Sequence, residues 1–130
     1  MSEVSSAYIP GVCNINREEI AKRRRAGHIG VTIFVILLGI SVLLSVNRYT
    51  RLILVLPAML AASGYLQARS HFCVGYAAAG QQNATEESKA PSRITDNSAV
   101  AADKRRARTI NLQSFCIAVV ITLLSVALPR

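Results

Sequence analysis

Cys13, His71 and Cys73 are the residues of this chain with the most chemistry to offer. Thiolates and imidazoles ligate zinc, copper and haem iron, and a thiol can also carry redox chemistry. The spacing is unfavourable for a compact site. Two residues on a helix differ by about 200° of rotation, so His71 and Cys73 face one ion only from a turn or an extended segment. The sequence has no C-x-x-C or H-x-x-x-H pair, and the acids Glu86, Glu87, Asp96 and Asp103 fall in a separate polar stretch. The competing reading takes Cys13 and Cys73 as small buried hydrophobes and His28 and His71 as interfacial residues bonded to headgroups or backbone. Cys116 sits inside an apolar block and reads as packing. Paired carboxylates, a nucleophile elbow and a phosphate-binding glycine loop are all missing from the sequence, so the chain reads as non-enzymatic and calls for no cofactor.

The elements that must position these residues are written in the hydropathy. Of 130 residues 52% are hydrophobic, and the mean hydropathy of +0.35 is too high for an ordinary soluble domain. The apolar residues collect in three blocks without a charge, Ile29 to Val46, Leu52 to Leu66 and Leu112 to Leu128. Eighteen residues at about 1.5 Å each give roughly 27 Å, close to a hydrocarbon core of about 30 Å. The prediction is an all-α integral membrane protein, one membrane domain, with spans over 29–46, 52–68 and 110–128. The second block is short and contains Pro57, which leaves a re-entrant or buried core helix as its alternative.

Charge selects between them. Arg17 and Lys22 to Arg25 precede the first block; Arg69, Lys89, Arg93, Lys104 to Arg106 and Arg108 lie between the second and third; only Arg48, Arg51 and Arg130 remain for the other side. Cytoplasmic flanks collect Lys and Arg, so three crossings with the amino terminus inside and the carboxyl terminus outside satisfy the rule, and a re-entrant second block violates it. The cytoplasmic lead, 1–28, then carries a short interfacial helix over 17–25, with Asn16 as its N-cap, Glu19 as the reciprocal partner, and Gly27 and Gly30 as bends. Pro10-Gly11 ahead of it fits a type II turn. Residues 69–80 form an inner interfacial segment and 81–109 a mobile loop. This topology brings Cys13 and the stretch from Ser70 to Cys73 to one face.

The net charge of +8 is explained by the membrane. Lys22, Arg23, Arg24 and Arg25, with Lys104, Arg105, Arg106 and Arg108, lie beside spans, where anionic headgroups attract each basic residue by about 1 kcal/mol. No recognition helix, stacking platform or zinc-finger spacing accompanies them, so nucleic acid is not an expected partner. Small residues recur at helical spacing within the spans: Ser41 and Ser45, then Ala58, Ala62 and Gly64, then Ala118 and Thr122. Such residues let helices approach closely in lipid, and part of that packing is expected to serve another membrane protein or a second copy.

The segments YIPGVCNIN..EI..RRRAGH.G, from Tyr8 to Gly30, and ASGYLQARSHFCVGYAAAG, from Ala62 to Gly80, resemble a group of small bacterial membrane proteins, chiefly actinobacterial, that is uncharacterised. The resemblance covers under half the chain and implies a bacterial cytoplasmic membrane; no activity comes with it. The leading expectation is an accessory or assembly subunit of a larger membrane complex. The alternative is a metal-, haem- or thiol-redox-handling protein built on Cys13, His71 and Cys73.

Overall fold

A computed structural model describes residues 8–85 and 90–129. Glu86, Glu87 and Lys89 of the expected loop, the first seven residues of the lead and Arg130 lie outside the described residues. The architecture is all-α, with three helices long and apolar enough to cross a membrane.

Helix α1, Arg17–Leu43, begins where the Asn16 side chain accepts the N–H of Glu19 at 3.0 Å. It is one continuous rod, so the separate helix expected over 17–25 is its first turns. Gly27 and Gly30 are not bends but points of contact. A Cβ on Gly30 would stand 2.5 Å from the backbone N of Ala61, and one on Gly64 would stand 2.6 Å from the backbone N of Gly27. Two helices this close require glycine at the crossing.

Asn47 caps a 3-10 helix, Arg48–Leu54, which runs directly into α2, Val55–Ser70. Pro57 therefore falls in the first turn of α2, where a missing N–H is best tolerated. The composite rod Arg48–Ser70 has 23 residues, enough for a crossing. His71 closes α2 in the left-handed region at φ 54, with Phe72 N–H returning to the Gln67 carbonyl at 3.0 Å. A six-residue helix α3, Val74–Ala79, follows, and Gly80 ends it at φ 71.

Where a mobile loop is expected over 81–109, the chain is ordered at both ends. Strand β1, Gln81–Gln82, pairs antiparallel with β2, Ser92–Arg93. Helix α4, Asn97–Ala127, starts thirteen residues ahead of the predicted span, capped by Asp96. Ala, Lys and Arg are strong helix formers. One face of α4 is buried along its whole length, Ala99, Asp103, Ala107, Ile110, Ser114, Ala118, Thr122 and Ser125, a stripe at the helical period whose small and acidic members hide it from a hydropathy scan. Its 31 residues measure about 46 Å, more than a bilayer core, so the basic end projects beyond it. There Ala107 and Ile110 meet Phe72 and Ala77 in the main buried apolar cluster.

Candidate functional site

The stretch from Tyr8 to Asn16 is a polar knot. Ile9 and Cys13 exchange backbone bonds of 2.9 Å around Pro10-Gly11, and Gly11 takes φ 71, as that turn requires. Asp103 fastens the turn to α4. One of its carboxylate oxygens accepts Gly11 N–H at 2.7 Å and the other accepts the Tyr8 hydroxyl at 2.7 Å. Burial, then the hydrogen bond and charge of Asp103, raise the Tyr8 phenol well above its ordinary range.

The next three residues are almost fully buried. Asn14 grips Cys73 reciprocally, its Oδ1 accepting Cys73 N–H at 2.6 Å and its Nδ2 donating to the Cys73 carbonyl at 3.1 Å. Its own N–H goes to the His71 carbonyl, and its carbonyl accepts Asn83 N–H at 2.8 Å. Asn16 N–H donates to the Asn83 carbonyl at 2.8 Å, and its Nδ2 to the Thr85 carbonyl at 2.8 Å. Half of the expected capping box forms. The Glu19 carboxylate, instead of turning back to Asn16, accepts from the Tyr76 hydroxyl and Asn83 Nδ2, each at 3.1 Å, and pairs with Arg23 at 3.3 Å. Burial and then the negative charge of Glu19 push the Tyr76 phenol upward.

The three proposed ligands are separated by this arrangement. Cys13 and His71 line one cleft of about 500 Å³ with Arg17 and Arg24. Cys73 is buried elsewhere, its Sγ 2.8 Å from Arg23 Nη2 and 3.5 Å from Tyr76 N–H. Among the described residues no three His, Cys, Asp or Glu side chains gather to hold a metal ion, and a guanidinium against the thiol disfavours a second cation there. Cys13 Sγ lies 3.6 Å from the Ile15 carbonyl. His28 Nδ1 is 2.6 Å from the Tyr65 hydroxyl.

Of the basic clusters, Lys22, Arg24, Arg25, Lys104, Arg105 and Arg108 are exposed; Arg23 is turned inward to Glu19 and Cys73. Ala58, Ala62, Gly64, Ala118 and Thr122 are buried on helix faces. Ser45 is not on a helix, since α1 stops at Leu43 and Ser45 turns the chain at φ 52.

Ser41 serves the far end of the bundle, where a buried arginine escaped the sequence reading. Arg51, 1% exposed, donates from Nε to Ser41 Oγ at 2.8 Å, from Nη1 to the carbonyls of Ser125 and Leu128 at 2.9 and 2.8 Å, and from Nη2 to the Pro129 carbonyl at 3.2 Å. The last carbonyls of a helix carry partial negative charge, so a guanidinium is a fitting cap for α4. The signal was available: an arginine in a tight turn, directly ahead of the apolar run that starts at Leu52, has helix ends, as well as water, to reach for.

Fold and polar stations together define a multi-pass α-helical membrane protein. No protein-family model, curated protein or solved structure matches the chain.

Proposed function

We propose that the protein is a non-enzymatic accessory or assembly subunit of a larger complex in the bacterial cytoplasmic membrane, with the knot in the cytoplasm and the carboxyl end outside. The observation that carries this reading is the uneven cover of the spans. In the most apolar stretch of α1, 11% of residues are buried, against 33% and 28% in the other two spans. Gly39 lies on that open face, and a Cβ built there meets nothing within 4 Å. A mid-helix glycine costs about 1 kcal/mol relative to alanine, and in lipid its value is the close approach of another helix. The knot agrees with such a role, because its buried polar groups are bonded largely to one another and hold the cytoplasmic end in one shape. The orientation follows from the basic residues, which gather at the knot end.

Purification of the tagged full chain in mild detergent tests the proposal. A stoichiometric partner, or a second copy, is expected to co-purify with the wild type and to be lost in Gly39→Leu. A monodisperse monomer from native membranes contradicts it.

Thiol chemistry at Cys73 is a second reading, favoured by the 2.8 Å contact of its Sγ with Arg23 Nη2. Alkylation of the folded protein at neutral pH separates the two. Rapid labelling of Cys73 that slows in Arg23→Gln supports this reading, and labelling only on unfolding removes it.

A further inference from the structure

At the basic end, α2 and α4 line a groove of about 710 Å³ that carries Arg69, Ser70 and Arg106 at its outer end and Leu66, Leu112, Gln113, Cys116 and Ile117 further in. Of its two guanidiniums Arg69 is exposed at the rim and Arg106 is half-buried. Arg23 is paired with Glu19 and Arg51 is saturated by carbonyls, whereas Arg69 and Arg106 have no hydrogen bond or ion pair among the described residues, and Arg106 Nε is buried without an acceptor. A guanidinium N–H withdrawn from water without a partner is unfavourable unless an anion supplies what the protein does not. The acid nearest to Arg106 in sequence is committed: both oxygens of Asp103 are bonded, to Tyr8 and Gly11.

The position of the groove names the anion. Nineteen residues of α4 separate Arg106 from Ser125, whose carbonyl Arg51 holds, about 29 Å along the helix axis. The two arginine stations therefore bracket a hydrocarbon core of about 30 Å, with Arg106 at the headgroup level of the knot-side leaflet. From Arg106 to Ile117 is about 16 Å of helix, half of that core, and below the arginines the groove is lined by Leu66, Leu112, Cys116 and Ile117 with Gln113 as the one polar side chain among them. A free phosphate would use only the mouth. A lipid uses both parts, its phosphate accepting from the planar guanidinium forks and one acyl chain lying on Leu66, Leu112 and Ile117.

We infer that this groove is a binding site for one anionic glycerophospholipid of the knot-side leaflet, its phosphate held by Arg69 and Arg106. A net anionic headgroup is preferred to a zwitterionic one, because choline would bring a cation into the field of a strongly basic surface. This site is distinct from the open face of α1 and does not depend on the partner proposed for it.

Native mass spectrometry of the full chain, released from mixed vesicles of phosphatidylglycerol and phosphatidylcholine, tests it. One retained phosphatidylglycerol per chain is expected. Arg69→Gln/Arg106→Gln should lower that retention about tenfold. Cys116→Trp, which fills the groove at unchanged charge, should lower it as well. Arg48→Gln/Arg93→Gln, with the same net charge as the first double variant but outside the groove and outside both headgroup-facing basic clusters, should retain lipid within about twofold. Equal retention of phosphatidylcholine, equal loss in the two double variants, or displacement of the lipid by inorganic phosphate would each overturn the assignment.

Discussion

Arg51 and Ser125 are 74 residues apart in sequence and meet at the far end of the bundle, where Arg51 Nη1 donates to the Ser125 carbonyl at 2.9 Å. The same side chain reaches Ser41 at the end of α1, so one guanidinium ties the three long helices together without a carboxylate. Charge inside a membrane protein is commonly satisfied by backbone carbonyls in this way.

Arg51→Met leaves the carbonyls of Ser125 and Leu128 without their charged donor, and a loss of about 2–4 kcal/mol is expected. Arg51→Lys keeps the charge but not the fork, so it should fall between wild type and Met. Thermal unfolding in detergent measures both.

The crossing of α1 and α2 sets a steric limit. Gly30→Val places atoms where the Ala61 backbone already stands, 2.5 Å from a Cβ, and a rigid backbone cannot give way. The expected loss is about 3 kcal/mol or more. Gly39→Leu, on the open face, should not destabilise the isolated chain and by helix propensity should gain up to about 1 kcal/mol. The two glycines thus separate folding from association in one assay.

What the sequence made legible was whatever rests on continuous apolar runs and turn chemistry: the three spans, the Pro10-Gly11 turn, the Asn16 cap, and the meeting of the lead with the stretch after α2. It hid the rest for identifiable reasons. The early start of α4 depends on a buried stripe of Ala99, Asp103 and Ala107, which reads as polar linker until Tyr8 and Gly11 are known to pair with Asp103. The roles of Asn14 and Asn83 depend on backbone groups far along the chain, and asparagine carries no periodic signal. Arg51 was counted as an outward charge, although its partners are helix-end carbonyls that no residue type encodes.

Asp103→Ala strips the acceptor from Gly11 N–H and the Tyr8 hydroxyl. A loss of about 2–3 kcal/mol is expected, with faster hydrogen exchange over 8–13 and little change within α2. Asp103→Asn keeps one acceptor and should lose less. Uniform exchange across the chain in the alanine variant would show that Asp103 does not anchor the turn.

The tyrosines give a pH dependence of definite sign. In the folded chain Tyr8 and Tyr76 hold their protons to higher pH than the ordinary value of 10.0, so the stabilisation they contribute is complete below that pH and is lost as pH rises above it. Stability should be insensitive to them from pH 7 to 9 and fall beyond pH 10, less steeply in Tyr8→Phe than in wild type. An identical slope in the two proteins would remove Tyr8 from the account.

The central claim, three crossings with the knot in the cytoplasm, is tested most directly by protease protection of a chain carrying a different epitope at each end. In intact spheroplasts external protease should remove the carboxyl epitope and spare the amino one, and permeabilisation should expose both. Loss of the amino epitope from intact spheroplasts, or protection of the carboxyl one, would contradict it.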